Sequence, residues 1–381
     1  MKKALITATT AYMISQFNIK DIKRLIDCGF KVEVAANFEN PGPLNQEKYN
    51  LLIKQLNENG IKYFHIPFSR NPISKDNLKA YFQLKSIIDS GNFDLVHTHT
   101  PIAGLLTRLI IKNKSLYKIY TAHGFHFYKG APILNWLLYY PLEKLMSKYT
   151  DVLVTMNEED YQIAKNNFTA KTVKKINGVG IDLDKFQSIG LSQLDLFDEL
   201  KIDRTSFLVL SIGELNDNKN HMTVIKAIQR LANPMIKYII VGTGVNYSKY
   251  QEYIRQHRLE NNVFLLGYRD DIAELLKTTD LFIFPSYREG LSVALMEAMA
   301  SGLPIIASNI RGNKDLVIQE KGGILVSPES SEEFASAIQK LYNDSQLMSN
   351  YGEFNVSRIQ DFSNTVVDKQ MYEIYNLYPT K

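Results

Sequence analysis

Short apolar runs recur along the chain, each followed by an amphipathic stretch. This alternation constrains the fold more than any other feature of the 381 residues. In the first half it predicts strands over 4–8, 32–36, 63–66, 95–97, 119–121 and 152–155. Helices are predicted between them over 16–28, 46–59, 75–89, 103–112, 134–148 and 158–168. Strands that are apolar on both faces must be covered on both faces, so β–α alternation implies a parallel sheet between helical layers. The rhythm restarts after about residue 200, with strands predicted over 208–212, 238–241, 263–266, 281–284 and 305–307. Between the halves, 176–190 contains Gly178, Gly180 and Gly190 and reads as an interdomain linker. The expected fold is α/β, two Rossmann-like domains in tandem over residues 1–180 and 181–361. Ligands in such sheets bind beyond the carboxyl ends of the strands, so a cleft between two facing domains is the expected site.

Charge is unevenly divided. Residues 1–180 carry 24 Lys and Arg against 14 Asp and Glu, a net +10, whereas the remainder carries 20 against 26, a net −6. A basic half suits an anionic surface, because each well-placed Lys or Arg gains roughly 1 kcal/mol at a charged leaflet. A nucleic-acid partner is not expected, since no element combines dense basic residues with interleaved aromatics. The one cysteine, Cys28, excludes an internal disulfide and a Cys-based zinc site, and fits a cytoplasmic location. No run reaches the roughly 18 apolar residues of a membrane span. The N-terminal Met1-Lys2-Lys3-Ala4-Leu5-Ile6 reads as a buried first strand and not as a targeting segment.

The run from Phe284 to Pro304 carries chemistry. A buried strand ends at Phe284, and Ser292 is placed to cap a helix closed by Gly302 and Pro304. The amides of Gly290, Leu291 and Ser292 then precede a helix N-terminus, which attracts a diphosphate through unpaired N–H groups and the positive dipole end. Gly290 has no side chain to block the approach. Glu289 precedes the turn. Glu297, within the helix, is placed to accept hydrogen bonds from a ribose diol.

Glu289-x7-Glu297, set in Pro285-Ser286-x-x-Glu289-Gly290 and Glu297-Ala298-x-Ala300-x-Gly302-x-Pro304, closely resembles glycosyltransferase family 4. Thr121-Ala122-His123-Gly124-Phe125-His126-Phe127, Asn135-Trp136-Leu137-Leu138-Tyr139-Tyr140-Pro141 and Gly213-Glu214-Leu215-Asn216-x-Asn218-Lys219-Asn220 narrow the resemblance to the bacterial exopolysaccharide and capsule enzymes. It spans essentially the whole chain. It implies a GT-B fold whose C-terminal helix, over 362–381, returns to the N-terminal domain. It also implies retaining, metal-independent transfer of a hexose or N-acetylhexosamine from a UDP-sugar to a polyprenyl-diphosphate-linked acceptor. The implied setting is the inner face of the plasma membrane, with peripheral contact to anionic lipid. The residues carried over as catalytic are Glu289, Lys219, His123 and His99. For the donor they are Gly213, Glu214, Asn218, Lys219, Gly242, Tyr268, Arg269, Glu289, Gly290, Leu291, Ser292 and Glu297. For the acceptor side they are Thr9, Thr10, Phe125 and His126.

Two departures from the family pattern stand out. Glu214 occupies a position where the family has a basic residue, so more of the diphosphate's charge must fall on the Gly290–Ser292 helix end, or on Arg288 or Arg311, with Glu214 able to position Lys219. The loop Ala8-Thr9-Thr10-Ala11-Tyr12 lacks the usual glycines. His97 and His99 are expected on opposite faces of their strand, which argues against a shared metal. Asp182-x-Asp184 is read as part of the linker. The aromatic stretch Phe125–Tyr140, with Lys129, Lys144 and Lys148 nearby, reads either as a membrane-contact surface or as the buried face of a helix. Two rival functions are a nucleotide-sugar epimerase and a non-catalytic or NAD-binding nucleotide-binding protein. Gly242-Thr243-Gly244 lacks the third glycine of the dinucleotide motif.

Overall fold

The structure, a computed structural model, describes residues 1–187 and 195–379. The chain forms two compact units, one of Met1–Val179 with Val367–Lys381 and the other of Gly180–Val366.

The first unit is built on β1 (Lys2–Thr10), β2 (Phe30–Asn37), β3 (Lys62–His65), β4 (Leu95–His99), β5 (Tyr117–Ala122), β6 (Val152–Thr155) and β7 (Thr172–Lys175). All pair in parallel, in the order β3-β2-β1-β4-β5-β6-β7. From Ala4 to Thr10 every residue of β1 is buried, as expected of a central strand covered on both faces. Strand order reverses between β1 and β4, so the loops after Thr10 and His99 flank the switch point.

The second unit repeats the plan with β8 (Phe207–Ile212), β9 (Ile236–Val241), β10 (Val263–Gly267), β11 (Leu281–Phe284), β12 (Ile305–Ser308) and β13 (Gly323–Val326). Its order, β10-β9-β8-β11-β12-β13, puts the switch between β8 and β11. The loops bearing Lys219 and Glu289 follow those two strands.

Sequence reading missed β7 and β13, the outer strands of the two sheets. Thr172–Lys175 is half-buried at best and carries two lysines, so its apolar signal is weak. The helix predicted over 16–28 begins at Ala11, directly after β1, and includes a π-helical turn over Ile14–Asn18. Such turns are rare and recur near functional sites. The predicted linker runs beyond Gln187, so its last three residues, 188–190, lie outside the described residues. Asp184 starts a one-turn helix, Asp184–Gln187. The C-terminal helix is Asn364–Tyr375, and the chain rejoins the first unit within it, at Val367. There Asp368 pairs with Arg24, and Tyr375 is buried against His97.

Candidate active site

In the second unit, three loops at the carboxyl edge of the sheet are laced together. Gly213 N–H bonds Val241 O at 2.9 Å, and Leu215 N–H bonds Thr243 O at 2.9 Å. Gly242 sits at φ +144°, and a Cβ there would lie 2.0 Å from Gly213 O, so glycine is required for these turns to touch. Across the switch point, Tyr287 N–H donates to Asn218 O at 2.8 Å, and Asn218 donates to Arg288 O at 3.0 Å. Asn220, at φ +56°, donates to both Pro285 O and Pro328 O.

This lacing sets the Lys219 side chain along the bare edge of Gly213 and over the Phe284 ring. Its Nζ lies 2.7 Å from Glu289 Oε1, and both side chains are mostly shielded. Lys219 and Glu289, 70 residues apart, thus form one charged pair. Glu214 is exposed, and the acid paired with Lys219 is Glu289.

Behind the pair, Ser292 caps the helix Val293–Ala300, its Oγ accepting from Leu295 N–H at 3.4 Å. The amides at Gly290 to Ser292 lie ahead of the first intrahelical bond, Met296 N–H to Ser292 O. A Cβ on Gly312, φ +77°, would lie 2.2 Å from Gly290 O, so a fourth loop supports this turn from beneath. Glu297 is largely buried, and burial raises its carboxyl to about 7, offset in part by Lys185. Tyr268 is exposed after β10. Arg269, expected at the donor, is held by Asp271 and Glu199, both at 2.6 Å. Those two carboxylates occupy its guanidinium. Of the basic residues named to offset Glu214, Arg288 is exposed and Arg311 is buried.

In the first unit, Thr9, Thr10 and His126 line one cavity of about 220 Å³, with Arg70, Thr100 and Tyr139. His126 lies against Tyr139, with centroids 4.7 Å apart and the rings tilted by 31°. Thr9 Oγ1 and Thr100 Oγ1 are 2.6 Å apart. Thr100 holds φ +66°, an outlier for a β-branched residue and a source of strain at the mouth of β4. Phe125 does not reach the cavity. Its ring is buried against Phe127 and Phe168.

His97 and His99 do not point to opposite faces. Residues two apart on a strand share a face, and the two ring centroids lie 4.0 Å apart, tilted by 41°. His97 is structural in its bonding: one ring nitrogen meets Tyr375 Oη at 3.0 Å and the other Thr121 Oγ1 at 2.8 Å. His99 is buried, with Nδ1 3.2 Å from His123 Nε2 and Nε2 3.8 Å from Asp21 Oδ2. His123, partly exposed, is the member of the set nearest to solvent. Burial depresses all three imidazoles, His97 to about 3, His123 to about 4 and His99 well below its usual value. They are therefore neutral at pH 7. Asp21, His97 and His99 offer ligand atoms within 4.8 Å of one another. Both nitrogens of His97 are engaged and Asp21 pairs with Arg24, whereas the buried His99 Nε2 makes no hydrogen bond among the described residues.

Asp21, Thr100, Asn220 and Gly312 were missed from sequence. Gly312, in Ile310-Arg311-Gly312-Asn313, carried a turn signal. Asp21 carried none, since it meets His99 across 78 residues.

Two parallel sheets, each with a reversal of strand order, define an α/β protein of two Rossmann-like units. The glycosyltransferase family 4 model matches residues 22–183, and the glycosyl transferases group 1 model matches 192–357. EpsD of Bacillus subtilis (strain 168), named as a glycosyltransferase, is 34% identical over 99% of this chain and 97% of its own length. The chain belongs to glycosyltransferase family 4, among the enzymes of exopolysaccharide and capsule synthesis. The UDP-Gal:alpha-D-GlcNAc-diphosphoundecaprenol alpha-1,3-galactosyltransferase of Escherichia coli is 30% identical over 80% of this chain and 82% of that one. Anabaena HepE, solved with UDP and glucose, superposes with a TM-score of 0.79 over 99% of this chain and 100% of that one. At 19% identity this last likeness is one of fold, the GT-B fold.

Proposed function

We propose that this glycosyltransferase moves a hexose or N-acetylhexosamine from a UDP-sugar to a polyprenyl-diphosphate-linked saccharide, with retention and without a metal ion. The observation that carries the reading is the Lys219–Glu289 pair, at 2.7 Å, in front of the Ser292-capped helix. Lys219 Nζ and the Gly290–Ser292 amides are placed to hold a diphosphate and to stabilise it as it leaves. With Glu214 exposed and Arg269 committed to two acids, this group bears most of the donor's charge. Gly213 and Gly242 let the backbone approach the nucleotide, Asn218 braces the loop, and Glu297 accepts from the ribose diol. Tyr268 and Leu291 border the donor.

Glu289 is ion-paired, which makes it a poor nucleophile and a good acceptor for donor-sugar hydroxyls. The bond from the anomeric carbon to the diphosphate oxygen breaks, and the bond to the acceptor oxygen forms on the same face. The acceptor's proton passes to the departing phosphate. His123 Nδ1, with Nε2 directed at His99, serves as a neutral hydrogen-bond acceptor. The cavity at Thr9, Thr10 and His126 takes part of the acceptor saccharide. The acceptor class rests on the named substrate of the E. coli relative, diphosphoundecaprenol-linked GlcNAc.

Lys219→Ala and Glu289→Ala should each cut turnover about a hundredfold, and excess EDTA should leave wild-type transfer unchanged. A Glu289→Ala variant that transfers sugar at the wild-type rate would remove Glu289 from the site. Release of free epimerised donor, without acceptor, would favour an epimerase instead.

A further inference from the structure

The helix Ile133–Ser147 divides the aromatic stretch in an unexpected way. Trp136 and Tyr140 turn inward onto Phe127 and Phe168, and Tyr139 packs on the same cluster and on His126. The opposite face carries Ile133, Leu134, Leu137, Leu138, Leu142 and Leu145, each between 44% and 78% exposed. These residues recur at i, i+3/4, i+7/8 and i+11, so they form one continuous stripe. Pro141, also exposed, falls within it. Single exposed leucines are ordinary, but five with an isoleucine on one helix face mark a contact surface.

Charge around the stripe selects the occupant. Lys144 and Lys148 are exposed on the same side. The helix has one acid, Glu143, and it is buried on the far side, bonded to Arg108 at 2.8 Å and to Tyr120 Oη at 3.1 Å. The outward face is therefore apolar with a basic border and no acid. A two-fold contact between copies centred on this helix would set lysine against lysine with no carboxylate on the helix to pair them. An anionic bilayer accepts both components, leucines in the acyl boundary and lysines at the headgroups.

We propose that the outward leucine face of Ile133–Ser147 docks the first unit onto an anionic lipid surface. The proposal deepens the lipid-linked acceptor reading and rests on it for its purpose. The aromatic residues, which the sequence left open between membrane contact and the buried face of a helix, form the helix's footing on the protein core.

The test is flotation with phosphatidylglycerol/phosphatidylethanolamine vesicles and with phosphatidylcholine vesicles, at low and high salt. Wild type should float with the anionic vesicles at low salt and be released as salt rises. Leu134→Ser, Leu138→Ser and Leu142→Ser together should lower binding at least about tenfold and leave the melting temperature unchanged. Lys144→Gln with Lys148→Gln should flatten the salt dependence. Failure of wild type to float at low salt, or flotation of the leucine variant equal to wild type, overturns the proposal. So does a wild-type dimer in sedimentation equilibrium that the leucine variant makes monomeric with flotation unaltered. A thermal shift with UDP reads the donor site independently. A chain that floats without a UDP shift fails the functional reading alone, and one that shifts without floating fails this proposal alone.

Discussion

Glu297 shows how one side chain can bear both a cost and a function. Burial raises its carboxyl from the ordinary range to about 7. The folded state then holds a proton that the unfolded chain releases near pH 4.5, so Glu297 is harmless to stability at low pH. Its contribution turns unfavourable as pH rises from about 4.5 to 7. Glu297→Gln should therefore stabilise the protein at pH 8, by about 2 kcal/mol, with little effect at pH 4.5. Denaturant unfolding at the two pH values measures this, and equal effects would mean that Glu297 is not protonated in the fold. A bound ribose diol prefers the carboxylate, so the same variant should bind UDP more weakly at pH 8. The three neutral histidines of the first unit run the other way. Their folded values lie below the unfolded one, so their contribution is present above about pH 6.5 and fades as pH falls toward 4 and below.

The helix Ile133–Ser147 is held from beneath by a buried ion pair. Arg108, on the helix Pro101–Ile111, lies against the Tyr120 ring and bonds both Gly104 O and Glu143. A Cβ on Gly104 would lie 2.7 Å from the Tyr120 ring, so the absent side chain makes room for this stack. Glu143→Ala should leave Arg108 buried without its carboxylate and cost about 3 kcal/mol. Replacing both, Arg108→Met with Glu143→Leu, should cost less than the single change. Chemical denaturation of the two variants tests the order, and a double variant less stable than the single one contradicts it. The helix predicted over 134–148 is found at Ile133–Ser147, but which face it buries was not legible. Aromatic and leucine side chains are both apolar, and only Phe127, on the loop after β5, and Phe168, at the end of the helix Glu158–Asn167, decide between them.

At the scale of the whole molecule, the C-terminal helix belongs to the opposite end of the sequence. Val367, Met371, Ile374 and Tyr375 are buried, Asp368 pairs with Arg24 and Tyr372 Oη donates to Asp27 at 2.6 Å. Tyr375 also closes the histidine set through His97. Deleting residues 367–381 should lower the thermal transition of the first unit and leave that of the second, which calorimetry resolves. Unaltered melting of both would show that the helix is dispensable to the first unit. Among the described residues no helix is long and apolar enough to cross a membrane.

By itself the sequence determined the two β–α series, the central strands and the Ser292-capped helix, because periodicity, capping and glycine placement act over a few residues. It also carried the family's Glu289-x7-Glu297 run, which is contiguous. Tertiary structure alone decided that Lys219 meets Glu289 and not Glu214, that Arg269 is committed to Asp271 and Glu199, and that His99 sits behind His123 beside Asp21. Each of these depends on which strand ends the sheet order brings together. Strand order is set by burial summed over a whole domain, and no local run of residues encodes it.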